Sequence, residues 1–546
     1  MTPPLRFAMT ELQPNFDLPA ALAAHAKERP HATAWRADDL RGSATWREWA
    51  TIVDRLGHLL SDAGVRAGTT VAYCGTNHPI AWSLALACAH LGASFWPLNY
   101  RWSSRELAAA LGALPFELSA LVVENNLEET TREALERASE TSSEHRARVM
   151  ERDALWADVV GDVLEWSASG IAPTPLVSNP ADAAPDDDSE DRPWLIMTTG
   201  GTTGRPKHVA HTRRTIAHNA RQFATMTHLR ADEPVLVVAP NFHVAGFSAL
   251  SAAAIATGAP LQIASRFAPD ALLPLITSGR ARAAVMVPTM WRALFDAARR
   301  QQTSLAMMRF GICGGAPMPP SYVEMARELG LDLLQGYGMT EAGPMVTLMP
   351  PGILGVSDPR QASAGVPPAD VEVWIEDPQG NRLATGHSGQ IVVRGPQLAS
   401  AYLGDAHGTT QSFRDGDYLT GDFGHLDDEG FLYVEGRLDD VIISGGENVA
   451  PAEVEALLVE HPDIAQAAVL GIDDSHWGQR VVAILHPANV SQPPESSSII
   501  DHLRPQLAGY KLPRDLRFTD TLPLTPAGKV DRRALLDLWQ KLATLP

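Results

Sequence analysis

The chain has 546 residues, 45% of them hydrophobic, so it is expected to fold as several packed subdomains rather than around one core. Its formal net charge of −20 speaks against nucleic acid or an anionic membrane surface as the main partner and reads as a solubility feature. Three scattered cysteines, Cys74, Cys88 and Cys313, form no CxxC pair, so neither a disulfide framework nor a zinc site is expected, and a reducing cytoplasm fits them.

The first 17 residues hold no apolar run long enough for a secretory signal. Over 45–110, TWREWATIVDRLGHLLSDAGV has helical spacing, TVAYCG reads as a short buried strand, and PIAWSLALACAHLGA reads as the next helix. The stretch Ile80–Leu98 is the most apolar, but it is short for a membrane span and interrupted by His90, so a buried core helix is expected and no integral membrane segment. Residues 176–192 are rich in Asp, Pro, Ser and Ala without a period, the composition of an exposed mobile loop. PWLIMT then reads as a buried strand, followed by a Gly/Thr loop and the helix TRRTIAHNARQFATMTHL.

Residues 231–345 again alternate strand and helix patterns, whereas 370–440 carry short strands between turn residues, a β-rich subdomain. After Arg437 a compact α+β texture begins. The expected fold class is therefore α/β. A large N-terminal region of several subdomains spans 1–438, and a small, mobile α+β domain spans 439–546.

The segment Met197–Val209, MTTGGTTGRPKHV, carries the most chemistry. Gly200, Gly201 and Gly204 let backbone N–H groups approach an anion closely, Thr199, Thr202 and Thr203 add hydroxyl donors, and Lys207 adds a positive charge. The spacing is not that of a Walker A loop, because Arg205 and Pro206 separate Gly204 from Lys207 and His208 follows it. Nor is it a dinucleotide fingerprint, since GxGxxG is absent.

Four further motifs follow in order: Tyr337–Glu341 (YGMTE), Thr420–Asp422 (TGD), Gly436–Asp440 (GRLDD) and Pro526–Arg532 (PAGKVDR). Together with Thr199–Lys207 they resemble the adenylate-forming superfamily, which includes acyl-CoA synthetases, adenylation domains of nonribosomal peptide synthetases, and luciferases. The resemblance runs from about residue 18 to 540 and points to the acyl-CoA synthetase and aryl-CoA ligase type.

The resemblance implies a reaction in two halves. A carboxylate attacks the α-phosphorus of ATP and pyrophosphate leaves; a thiol then attacks the acyl carbon and AMP leaves. It implies that Thr199–Gly204 and Lys207 hold the β- and γ-phosphates, that Thr340 bonds the α-phosphate, and that Glu341 is the Mg²⁺ ligand, one carboxylate being enough for an ion that also binds phosphate oxygens. Gly315, Ala316 and Pro317 with Gln335, Gly336, Tyr337 and Gly338 are the adenine-flanking segments. Asp422, expected in a turn after a strand because glycine precedes it, suits the ribose hydroxyls, and Arg437 reaches ribose or phosphate. Lys529 contacts the acyl carboxylate and α-phosphate, and Asp439 is the hinge between domains.

His243 stands where amino-acid-activating relatives carry an ammonium-binding Asp, so the substrate is expected to lack an amine. With Val244, Phe247, Val287, Gly311, Gly314, Met339 and Met345 it forms the acyl-pocket set. That set is apolar, without a cation for a second carboxylate, and favours an aromatic or short-to-medium-chain monocarboxylate. Ser444, Gly445, Gly446, Trp477, Tyr510 and Arg514 are the candidate CoA contacts.

This chain departs from the family pattern at His208, Gln390 and Ala401, where Gly, Glu and Gly are usual, and at Gly200, where most CoA ligases carry Ser. Gly200 leaves open a second acceptor, the phosphopantetheinyl arm of a carrier protein. A third reading is a non-catalytic AMP-binding scaffold. The cosubstrates and cofactor implied are ATP, CoA and Mg²⁺, the setting is cytoplasmic, and a homodimer is a compatible assembly.

Overall fold

The computed structural model describes residues 17–40, 42–139, 147–169, 192–199, 206–316, 318–355, 358–444, 447–474, 477–524 and 530–543. The chain divides into two compact units, one made of 3–373 with 393–418 and the other of 374–392 with 419–546. The predicted loop at 176–191 lies outside the described residues.

Two sheets organise the larger unit. The first runs, in spatial order, Met345–Leu348, Leu333–Gly338, Phe310–Cys313, Ala283–Met286, Val235–Val237, Leu261–Ile263, Thr33–Ala37 and Gly42–Thr45. Its six central strands are parallel and its two edge strands antiparallel. The second runs Tyr402–Leu403, Lys207–His211, Leu195–Thr199, Ser94–Leu98, Thr70–Cys74, Leu118–Val123 and Arg148–Glu151. The strands TVAYC, SFWPL and LSALVV are buried at every position, the continuous apolar run that a parallel strand covered on both faces requires.

The helices begin where the sequence offers caps. Thr45 and Glu48 form a reciprocal capping box at the start of Trp46–Asp62, satisfying N–H groups that have no partner inside the helix. Pro79–Leu91 opens on a proline and on the His78 ring, and it closes on left-handed Gly92. Eleven of its residues are buried, which is why the sequence is apolar all round. The helix ends at Leu91, and Ser94–Leu98, read at first as its continuation, is a core strand.

A third sheet is built from Glu372–Glu376, Gly389–Arg394, Asp417–Leu426, Phe413–Arg414 and Leu432–Arg437, matching the β-rich texture of the sequence. In the smaller unit a sheet holds Glu447–Val449, Ile442–Ser444, Gly478–Pro487 and Ile464–Asp474, with Leu516–Phe518 paired to Gly478–Pro487. Period-two alternation splits its core into two layers. Ala467, Val469, Val481, Ala483 and Leu485 pack with Val454, Leu458, Ile499 and Leu503 of the helices Pro451–Leu458 and Ser496–Leu503. Ala468, Leu470, Val482 and Ile484 face Leu535 and Trp539 of the helix Arg532–Ala543 on the other side. Among the described residues no helix is long and apolar enough to cross a membrane.

Candidate active site

Open α/β sheets bind ligands beyond the carboxyl ends of their parallel strands. In the eight-stranded sheet those ends gather most of the predicted adenine and acyl residues. Phe310–Cys313 runs into Gly314, Gly315 and Ala316; Leu333–Gly338 carries Gln335, Gly336, Tyr337 and Gly338 and runs into Met339; Ala283–Met286 ends at Val287; and Val235–Val237 leads to His243. These four strands are adjacent in the sheet. Gly314 N donates to the Met286 carbonyl at 3.3 Å, and a Cβ on Gly315 would sit 3.5 Å from Val287 Cγ1, so the loops touch. The Gln335 amide oxygen is buried with no partner among the described residues.

Members of the acyl set differ in exposure. Val287 is exposed, but Phe247 is buried, with its ring stacked on Trp82 at 5.5 Å and packed against Phe95. Val244 and Met345 are buried, and a Cβ on Gly311 would meet Trp291 at 2.4 Å. His243 is half-buried at the start of the short helix Val244–Phe247, with its ring against Phe242.

The Gly/Thr loop does not open directly into a helix, as its sequence context suggested. Lys207–His211 is an antiparallel strand paired with Leu195–Thr199, in the register Thr199↔Lys207 and Thr198↔His208, and the helix begins only at Arg213. The two strands that flank the loop are therefore antiparallel partners. Gly200, Gly201, Thr202, Thr203 and Gly204 lie outside the described residues. At this strand pair, Trp96 Nε1 donates to Thr198 Oγ1 at 2.9 Å, and Thr198 Oγ1 lies 3.2 Å from His208 Nδ1. His208 Nε2 is 3.1 Å from the Ala110 carbonyl, so the ring is neutral with its proton on Nε2; burial pushes its pKa down to about 4.

Thr340 and Glu341 sit in a single 3₁₀ turn, Thr340–Ala342, between the antiparallel strands Leu333–Gly338 and Met345–Leu348. The reversal is tight: a Cβ on Gly338 would lie 1.8 Å from the Pro344 carbonyl oxygen, so no side chain fits there. Carbonyl groups of the turn are held from outside. His211 Nε2 reaches the Thr340 carbonyl at 2.6 Å, Ala399 N donates to that of Glu341 at 2.8 Å, and Ser248 Oγ donates to that of Gly343 at 2.9 Å. The Asn219 amide also donates to Gly343 O, at 2.7 Å, and accepts from Met345 N at 3.1 Å.

The Glu341 side chain is buried and accepts a hydrogen bond on Oε1 from Tyr402 Oη at 2.7 Å. Among the described residues its Oε2 accepts none. Lys207 Nζ stands 4.3 Å from the centroid of the same Tyr402 ring.

In the smaller unit Asp422 and Arg437 face each other across paired strands, and Arg437 Nη1 lies 2.9 Å from Asp422 Oδ1 and 3.1 Å from the Thr420 carbonyl. Asp422 was expected in a turn after a strand. It lies instead within Asp417–Leu426, because Gly421 takes a positive φ of 68° without breaking the pairing. Ser444 is buried and its hydroxyl has no partner among the described residues. The Arg514 guanidinium stacks 4.0 Å over Trp477, whereas Tyr510 packs against a core layer beside Lys511. Asp439 falls in the 3₁₀ turn Leu438–Asp440. Pro317, Gly445, Gly446 and Lys529 lie outside the described residues.

A family model for the AMP-binding enzyme matches residues 22–403, and one for the AMP-binding enzyme C-terminal domain matches 453–529. The chain belongs to the AMP-binding enzyme family. It is 35% identical to a feruloyl-CoA synthase of Amycolatopsis sp over 92% of this chain and 95% of that one. It is 34% identical to an indoleacetate–CoA ligase of Aromatoleum aromaticum over 93% and 95%. The o-succinylbenzoate CoA synthetase of Bacillus subtilis, solved with its acyl-adenylate intermediate, superposes with a TM-score of 0.79 at 28% identity, covering 94% of this chain and 97% of that one. The same synthetase has been solved with ATP and magnesium ion.

For an AMP-binding enzyme the donor set around Glu341 fits a magnesium ion that arrives on phosphates. One buried carboxylate keeps an oxygen unengaged, and among the described residues no cluster of three or more His, Cys, Asp or Glu forms a cage by itself. Sequence reasoning about this family member missed Tyr402, His211, Asn219 and Arg532. Arg532 Nη1 donates to the Val469 carbonyl at 2.7 Å, its Nη2 lies 2.9 Å from Glu455, and its Nε lies 3.6 Å from Asp440. The signal was at hand for one of them, since Arg532 closes the motif that contains Lys529.

Proposed function

We propose that this enzyme activates an aromatic monocarboxylic acid, with short-to-medium acyl chains as the broader class. It is an AMP-forming acid–CoA ligase: the acid carboxylate displaces pyrophosphate from ATP, and the CoA thiol then displaces AMP from the acyl-adenylate. The observation that carries the reading is the meeting of Lys207 and Glu341 on one buried ring, a cation for phosphate and a carboxylate for the ion that accompanies it. Chemistry of this kind depends on positioning and charge neutralisation.

In this reading Lys207 and the 199–204 loop hold the β- and γ-phosphates, and Thr340 bonds the α-phosphate. Glu341 would hold Mg²⁺, which when bound neutralises triphosphate charge. Gly315–Pro317 and Gln335–Gly338 flank adenine, and the unpartnered Gln335 amide oxygen is open to a donor there. Asp422 takes the ribose hydroxyls and Arg437 stands beside it. Lys529 serves the acyl carboxylate and Asp439 is the pivot of a mobile domain over 439–546.

The aromatic preference draws on the feruloyl and indoleacetate relatives and on the apolar supply around His243 and Val287. CoA as acceptor draws on the same relatives and on Ser444, Trp477 and Arg514. Gly200 supports a second reading in which a carrier protein's pantetheine arm accepts the acyl group. A cytoplasmic setting follows from CoA and ATP as substrates, and a homodimer is compatible with the chain.

The test is a panel of carboxylic acids with ATP and Mg²⁺, reading AMP release with and without CoA. Aromatic acids should give the fastest CoA-dependent release. AMP turnover that CoA fails to stimulate for every acid would overturn CoA as the acceptor.

A further inference from the structure

Tyr402 lies in no motif that drew attention to the site, yet it touches both charges there. The inference rests on Lys207 and Glu341 being the nucleotide-contacting pair. Tyr402 begins the edge strand Tyr402–Leu403, paired antiparallel to Lys207–His211 in the register Tyr402↔Val209 and Leu403↔His208. The register fixes the ring beside the strand that carries Lys207. Thr409 Oγ1 accepts from Tyr402 N at 3.0 Å, and the Phe413 ring packs edge-on at 5.6 Å. Tyr418 Oη lies 3.3 Å from the Tyr402 hydroxyl. The side chain is 5% exposed and so has one placement.

The geometry gives the two ends of the phenol different work. The ring face meets the Lys207 ammonium at 4.3 Å, a cation–π contact that leaves the N–H donors free to turn outward. The hydroxyl donates to Glu341 Oε1 at 2.7 Å and, among the described residues, leaves Oε2 without a donor. Each charge thus has its own anchor on Tyr402. Opposite charges attract, and separate anchors on the two ends of one phenol oppose their pairing.

We propose that Tyr402 is a positioning residue of the nucleotide site, holding Lys207 on its ring face and Glu341 on its hydroxyl so that each charge stays available for one part of magnesium-bound ATP. The two substitutions Tyr402→Phe and Tyr402→Leu separate these roles, because the first keeps the ring and the second keeps neither.

Calorimetric binding of ATP to the full chain, without acid and so without turnover, is measured across a Mg²⁺ series and without Mg²⁺. Tyr402→Phe should raise the Mg²⁺ concentration for half-maximal ATP binding by about tenfold while leaving Mg²⁺-free ATP binding unchanged. Tyr402→Leu should in addition weaken Mg²⁺-free ATP binding by roughly threefold. Thermal unfolding of each variant accompanies the binding data. An unchanged Mg²⁺ requirement in a folded Tyr402→Phe protein would overturn the proposal, as would equal losses with and without Mg²⁺. Lys207→Ala and Glu341→Gln serve as references. If these two also leave ATP binding and its Mg²⁺ dependence untouched, the nucleotide-site reading itself fails; if they change it and the Tyr402 variants do not, only the role of Tyr402 fails.

Discussion

His211 Nε2 lies 2.6 Å from the carbonyl oxygen of Thr340, tying the strand that begins with Lys207 to the turn that presents Glu341. The ring is buried and neutral, with Nδ1 beside Thr215 Oγ1 at 3.3 Å. His211→Leu removes one of the two donors on the Thr340 carbonyl and leaves it Gly343 N at 3.2 Å, which should cost about 0.5–1.5 kcal/mol of stability. The KM for ATP should rise more than the KM for the acid, because the displaced turn carries the phosphate and magnesium contacts proposed above. Steady-state kinetics with each substrate varied in turn checks this.

The histidines also set an acid limit. Burial lowers the pKa of His208 and of His211 from 6.5 to about 4 each, and that of His78 to about 3. Between pH 6.5 and about 4 the unfolded chain binds protons that the folded chain refuses. Stability is therefore full above pH 6.5 and falls as pH drops, by about 1.4 kcal/mol per pH unit for each histidine. Urea midpoints between pH 7 and 4.5 should show this slope, and His208→Gln should remove one proton's share. A slope that His208→Gln leaves intact would mean the ring charges freely in the folded protein.

Phe247 and Val287 were both read as acyl-pocket residues, and the structure separates them. Phe247→Ala empties a stacked core position beside Trp82 and should cost about 3–5 kcal/mol without reordering the acid panel. Val287→Phe, at an exposed strand end beside Gly315, should reorder the panel with little loss of stability. A Phe247 variant that is stable and altered in acid preference would reverse this assignment.

Lys529→Ala should abolish pyrophosphate exchange driven by the acid and spare thioester formation from supplied acyl-adenylate. In the proposed reading Lys529 is a long-stemmed point charge that serves the adenylation half-reaction alone. Wild-type exchange in the variant would remove Lys529 from the mechanism.

Arg532 fastens the start of the last helix to Val469, Glu455 and Asp440. Burial raises the Glu455 pKa and the Arg532 guanidinium opposes that rise. Arg532→Ala strands a half-buried carboxylate and should cost about 1–3 kcal/mol, and the double variant with Glu455→Gln should recover part of it. Additive losses in the double-mutant cycle would show that the two residues do not act together.

Much of this architecture was legible in the order of five motifs and in the alternation of apolar runs. The carboxyl-end clustering of Gly314, Gln335 and Val287 follows from strands the composition already marked. The strand KHVAH was not visible, because five residues with two buried histidines look polar until their partners at Thr198, Ala110 and Thr340 are known. Asp422 looked like a turn because glycine precedes it, and only cross-strand pairing with Arg437 reveals otherwise. Tyr402 was unreadable for a different reason: its partners Glu341 and Lys207 are distant in sequence, and no local pattern encodes such a contact.

The three cysteines sit fully buried in the larger unit, and burial raises every thiol, that of Cys74 to about 12. Cys313 is one residue from Gly314 at the candidate pocket, yet its side chain packs with Trp291 and Leu333 in the core. Thiolates, not thiols, attack activated acyl groups. An enzyme that makes an acyl-adenylate and then waits for an external sulfur thus keeps its own cysteine sulfurs protonated and out of reach, so its thiols do not compete for the acyl group.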